Sequence, residues 1–277
     1  MLLKNVLVPI DFSNCSKNAL RTAIELARKR NAKIHLVNAI HVHTPHPDLT
    51  GGSIVDSIMS DYETQVKQSF EELESEVVEL KDIPHETDRF MSYFTDAIQS
   101  EIASKDIDLI VMGTRASHDR IDHLFGTHAT DVIQQSSVPV LVIPENCEQF
   151  QPKKIGFASD FGKVISHKCF DSLVWLAEKF ESEILVFHVD DSDAAPEEVK
   201  NRIGIIEEGL KNVSHSILTV KTDSVVDGIN KFVQEHQLDV LAMMPRKHSL
   251  FERVFGVSIT RTMALDTKIP ILTFNDQ

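Results

Sequence analysis

The segment GTRASHDRIDHLFGT (113–127) has the residue types and spacing best suited to chemistry. Gly113 stands three residues before Ala116, and nine residues separate Ala116 from the pair Gly126-Thr127. A glycine at a strand end lets backbone N–H groups approach an anion with no Cβ in the way. Thr127 is placed to N-cap a following helix whose buried face would include Ala129, Val132 and Ile133. A helix N-terminus offers unpaired N–H donors and partial positive charge, which together suit phosphate. The same glycines also serve a plainer purpose, shaping a strand-to-helix loop, and spacing alone leaves both readings open. A second candidate is Asp11, which follows the apolar run NVLVPI (5–10).

Other chemistry-bearing residues read more simply. His41, His43 and His46 crowd a proline-containing stretch, but no cysteine or carboxylate completes a zinc motif at standard spacing, so a surface loop is expected. His118, His123 and His128 read as loop polarity that can reach a phosphate. Cys15 sits near the start of the first helix and reads as ordinary packing. There is no G-x4-G-K-[ST], no strand-linked G-x-G-x-x-G and no G-x-S-x-G, and no pair of carboxylates is placed for acid–base work. The third strand HETDRF (85–90) does not end in aspartate, which argues against a phosphoacceptor domain. With no residue placed as a catalytic base, binding is expected rather than catalysis.

The elements that must position these residues follow from an internal repeat. NVLVPIDF (5–12) matches KIGFASDF (154–161) at an offset of 149, and KIHLVN (33–38) matches EILVFH (183–188) at 150. DLIVM (108–112) matches DVLAM (239–243), and VPVLVI (138–143) matches IPILTF (269–274), both at 131. A period of about half the chain indicates tandem domains. The drop in offset puts extra residues in the first half, for which HTPHPDLTGG (43–52) is the obvious place. Strands are expected at 4–10, 33–40, 84–90, 107–112, 138–143, 153–158, 183–189, 215–220, 238–244 and 269–274. Between them lie amphipathic stretches, such as Leu20, Ala23, Ile24, Ala27 and Val199, Ile203, Ile206, Leu210. The pattern Val55, Met59, Tyr62, Val66, Leu73, Leu80 reads as a helix face on the sheet. Near-continuous apolar strands suit a parallel sheet buried on both faces, hence two doubly wound α/β domains. Their expected bounds are 1–146 and 152–277, with PENCEQFQPK (144–153) as linker. In such a sheet ligands sit beyond the strand carboxyl ends where strand order reverses, which singles out the residues after strands one and four.

Composition narrows the setting. The chain has 277 residues, 42% hydrophobic and 25% charged, with a formal net charge of −14. That charge disfavours nucleic acid and anionic lipid as partners. Cys15, Cys147 and Cys169 cannot all pair within one chain and form no C-x-x-C, which suits a reducing compartment. The start MLLKNVLVPIDF has no cleavage site typical of a secretory signal, and IDLIVM (107–112) is far short of the ~20 residues of a membrane span. A soluble cytoplasmic protein with no membrane partner is expected.

The opening VLVPIDF and the series MGTR…GT…VPVLVI resemble, in order and spacing, the tandem universal stress proteins, whose motif is G-x2-G-x9-G-[ST] followed by a helix and a V-P-V-L-V strand. The resemblance spans both halves. It implies two five-stranded parallel α/β domains of the adenine nucleotide alpha hydrolase-like type, from a family in which one branch binds ATP and another does not. It places Asp11 beside the adenosine, with Pro9, Ile10 and Ala39 lining the base pocket. Met112 and Gly113 pass under the ribose and phosphates, Arg115 and Ala116 lie in the loop, and Gly126 and Thr127 donate to the phosphates. The implied ligand is ATP, with or without Mg2+. One departure matters: the second motif glycine is Ala116, which costs about 1 kcal/mol if that position needs φ > 0. At offset 131, Gly113 becomes Met244, Ala116 becomes Lys247, Gly126 becomes Val257 and Thr127 becomes Ser258, so the second domain reads as degenerate and nucleotide-free. The apolar fifth strand is an edge. Strand 138–143 is therefore expected to pair antiparallel with 269–274, an intramolecular pseudo-dimer that leaves homodimerisation open. Two functions remain: an adenine-nucleotide-binding regulatory module with at most slow ATP hydrolysis, or a nucleotide-free adaptor acting through protein contacts.

Overall fold

The structure is a computed structural model that describes residues 3–40, 52–114, 127–159, 170–190, 196–221, 224–244 and 269–274. All ten expected strands form: β1 (Asn5–Pro9), β2 (Lys33–Ala39), β3 (His85–Phe90), β4 (Leu109–Thr114), β5 (Val140–Pro144), β6 (Lys154–Ala158), β7 (Glu183–Asp190), β8 (His215–Lys221), β9 (Val240–Met243) and β10 (Ile271–Thr273). The helices among the described residues are α1 (Asn14–Arg28), α2 (Gly52–Glu76), α3 (Phe94–Lys105), α4 (Thr127–Gln135), α5 (Asp171–Phe180), α6 (Pro196–Leu210) and α7 (Val225–His236).

The chain divides into two compact units, Leu2–Met112 and Gly113–Gln277 with Met1, the division falling inside β4. In the first unit the strand order is β3-β2-β1-β4 and every pairing is parallel. β1 therefore has β2 on one side and β4 on the other, and this is where the order reverses. In the second unit β10-β9-β6-β7-β8 form a five-stranded parallel sheet. β5 joins its edge by antiparallel pairing with β10, Leu141 lying opposite Leu272, the pairing expected from the apolar edge strands. The α/β fold read from the sequence is present in both units.

Local chemistry explains the elements. Ser13 caps α1 by accepting a hydrogen bond from the Ser16 N–H, and Leu20, Ala23, Ile24 and Ala27 are all buried on its inner face. Tyr62, Val66, Phe70 and Leu73 form the buried stripe of α2, but the helix ends at Glu76. Leu80, expected on the same helix, is buried instead from a 3-10 turn at Val78–Asp82. The repeat extends to backbone detail. Asp108 Oδ2 accepts the Lys4 and Asn5 N–H groups at 2.6 and 2.9 Å, and Asp239 Oδ2 accepts those of Lys153 and Lys154, both at 2.8 Å. Asp106 after α3 and Gln237 after α7 both take left-handed conformations, with φ of 49° and 52°.

Candidate functional site

In the first unit the carboxyl end of β1 is tightly specified. Pro9 and Ile10 are buried, Ala39 at the end of β2 is half-buried, and Met112 is buried in β4. The Ile10 N–H donates to Val37 O at 2.8 Å, which carries the β1–β2 ladder one residue past the strand. Asp11 is exposed, and its Oδ1 accepts the Ser13 N–H at 3.0 Å and the Ser13 hydroxyl at 2.5 Å. The turn is completed by Phe12, whose φ of 63° is unusual for a side chain of that size and whose ring packs edge-on against Phe70 at 5.1 Å. The carboxylate thus holds the β1–α1 turn in shape, a role the sequence did not signal.

Two further residues lock this end, and motif spacing missed them. Asn38, buried in β2, donates through Nδ2 to Ile10 O at 2.7 Å, and its Oδ1 accepts the Tyr62 hydroxyl at 2.9 Å. Burial raises the Tyr62 pKa above 10, so the phenol stays a donor at neutral pH. The available signal was a polar residue inside the otherwise apolar KIHLVNA, since a buried amide needs partners. The second unit repeats the device with other chemistry. The Ser159 N–H donates to Phe187 O at 3.0 Å, and His188 Nδ1 donates to Ser159 O at 2.9 Å.

In the second unit, β4 runs to Thr114 rather than ending at Met112, so Gly113 lies within the strand's last two residues. The Glu145 N–H donates to Thr114 O at 3.1 Å, which accounts for the extra length. α4 begins at Thr127, and Ala129, Val132 and Ile133 are buried as expected. Thr127 lies in this helix, and the residue before it, Gly126, lies outside the described residues. Arg115, Ala116 and Gly126 lie outside the described residues, as do Asp160, Lys247, Val257, Ser258, Cys169 and the histidines at 41, 43, 46, 118 and 123. Among the described residues no group of three or more His, Cys, Asp or Glu could hold a metal ion, and no helix is long and apolar enough to cross a membrane.

A second polar cluster lies between α3 and the face of β2 and β3. Glu86 accepts from Lys105, from Lys33 and, at 2.8 Å, from His35 Nδ1. Hydrogen bonds from the two lysines pull its pKa from 4.5 to about 2. Lys105 also reaches Asp88 at 3.3 Å. His35 is buried, and burial lowers its pKa against the opposing pull of Glu86.

A model of the Universal stress protein family matches residues 3–144 and again 152–275. The chain is 28% identical over 144 residues to Universal stress protein A homolog 1 of Coxiella burnetii, a match covering 52% of this chain and 97% of that protein. Among solved structures it is similar to a universal stress protein from Archaeoglobus fulgidus DSM 4304, with a TM-score of 0.66 at 16% identity and all of both chains covered. It is also similar to a protein of unknown function from Pseudomonas aeruginosa PAO1, with a TM-score of 0.61 at 12% identity, covering 99% of this chain and 93% of that one. At these identities the structural likenesses speak for the fold.

Proposed function

The chain belongs to the universal stress protein family, and on that premise we propose that it is an adenine-nucleotide-binding regulatory module that takes one ATP per chain through its first-half motif. The observation that carries this reading is Gly113 near the carboxyl end of β4 followed, across the motif, by helix α4, whose described residues run from Thr127. A strand-end glycine and a helix N-terminus both present backbone N–H groups to phosphate. The base pocket is assigned to Pro9, Ile10 and Ala39, with Asp11 beside the adenosine. Met112 and Gly113 pass under the ribose and phosphates, Arg115 and Ala116 lie in the loop, and Gly126 and Thr127 donate to the phosphates. Any Mg2+ would enter with the triphosphate. The second half, with Met244 and Val257 at the two glycine positions, is assigned no nucleotide.

A second reading, a nucleotide-free adaptor, is favoured by Ala116 at the middle glycine of the motif. Calorimetric titration with Mg-ATP separates the two. One site per chain, lost in Gly126→Val, is the expected result. Two sites would overturn the assignment of the second half. No heat and no competition against a labelled nucleotide up to millimolar ATP would overturn the nucleotide reading in favour of the adaptor.

A further inference from the structure

The repeat provides an internal comparison for the layer beneath α3. Register and offset place His35 at the position of Leu185, Asp88 at Leu218, Glu101 at Phe232 and Lys105 at His236. In the second half these four places are apolar or aromatic, and the partner of Leu185, at the position of Glu86, is the uncharged Ser216. The Phe232 ring stacks on Phe187 at 4.0 Å and meets His236 at 4.1 Å. The same fold is therefore built without charges at this place. The charges of Lys33, Glu86, Asp88 and Lys105 are partly exposed, and a half-solvated ionic cluster adds little over well-packed apolar side chains. Its presence in the first half is a property of this chain's sequence, not a demand of the topology.

Within that layer Glu101 is the unbalanced member. It is 3% exposed, and its Oε2 has no hydrogen-bond partner among the described residues. The charged groups acting on it are Asp88 and Glu86 from β3 and Lys105 one turn along α3, while Lys33 and His35 from β2 reach Glu86. Both lysines are engaged by Glu86, and Lys105 by Asp88 as well. An ionised Glu101 would bring a third carboxylate to a place whose cations are already paired, with one oxygen desolvated and unbonded. A carboxylic acid relieves the repulsion and the desolvation of the charge, because its charge is gone.

We propose that Glu101 is a proton-binding site that couples pH to the docking of α3: the helix seats on the sheet with Glu101 protonated and loosens when the proton leaves. Burial, helped by Asp88 and Glu86 and opposed by Lys105, lifts the Glu101 pKa above 4.5. The folded pKa lies above the unfolded one, so the stabilising contribution is complete below the unfolded value and is lost as pH rises through the folded one. α3 leads directly into β4, so the response is local to the first half. The second half, with Phe232 at this place, has no such response.

Hydrogen exchange on the full chain tests this, with rates corrected for base catalysis and read between about pH 5 and about pH 9. Amides of α3 should open more readily as pH rises from the ordinary carboxylate value of 4.5 toward the raised pKa of Glu101, by up to about tenfold per pH unit, and level off above it, while those of α7 stay level throughout. Glu101→Gln keeps the shape and removes the proton site, so α3 protection should become flat with pH. Infrared spectroscopy of the native chain should show a carboxylic acid C=O band that titrates above pH 4.5 and is missing in Glu101→Gln. A level α3 profile in the native chain, an unchanged slope in Glu101→Gln, or no carboxylic acid band titrating in that range would each overturn the proposal.

Discussion

Glu86 and Glu101 are carboxylates in the same layer with opposite titration behaviour, and the difference is one of partners. Glu86 has its charge met by Lys105, Lys33 and His35, so its pKa falls from 4.5 to about 2. Its contribution is complete above 4.5 and is lost as pH drops through about 2. The urea midpoint of the native chain should therefore fall across that acid range, and Glu86→Gln should lack this part of the slope. At neutral pH the same variant should cost about 1–2 kcal/mol, because it leaves two lysines without their carboxylate at a partly solvated site. Asp108 and Asp239 invite a paired experiment, since each caps two N–H groups at the start of β1 or β6. Alanine at either position should cost about 1 kcal/mol or more in chemical denaturation, while asparagine, which keeps an accepting oxygen, should recover most of it.

Helix α6 contains two glycines in contrasting surroundings. A Cβ built on Gly204 meets nothing within 4 Å, whereas one built on Gly209 would lie 2.4 Å from a ring carbon of Phe170, which is fully buried. Gly204→Ala should stabilise the protein by about 0.5–1 kcal/mol through the gain in helix propensity. Gly209→Ala should destabilise it by about 1–3 kcal/mol, because the ring has to move within a packed core. Thermal melts of the two variants should shift in opposite directions. At the end of β1 the same reasoning explains why Asn38 and Tyr62 matter more than their distance from the motif suggests. They hold Ile10 O in place, and Asp11 is the next residue along the chain.

The antiparallel β5–β10 pair satisfies an apolar edge within the chain. Removing residues 269–277 should expose the backbone groups of β5 and drive self-association, visible as a larger mass in light scattering after size exclusion. A mass unchanged from that of the full chain's own assembly, apart from the removed residues, would show that β10 is not what protects that edge. The two units also differ in how they use one topology. Asn38 in the first and His188 in the second perform the same backbone contact, while the layers under α3 and α7 are ionic and aromatic respectively. Equal folds thus carry unequal chemistry, which is the basis for assigning nucleotide and proton binding to the first half alone.

All ten strands, the half-chain repeat and the β5–β10 pairing were legible in the amino-acid sequence. Alternating apolar runs and constant offsets are properties of short segments and survive without knowledge of their neighbours. The positions of Asp11 and Gly113 at strand ends were legible for the same reason. What the tertiary structure alone decided is which distant groups meet. Asp11 turned out to serve Ser13, β4 reached Thr114 through Glu145, and Asn38 found Tyr62 from another element. Glu101 in FTDAIQSEIASK looks like a solvated helix residue, because periodicity tells which residues share a face and not what lies opposite. Its burial beside Glu86 and Asp88 follows only from α3 docking on β2 and β3, and that contact sets its charge.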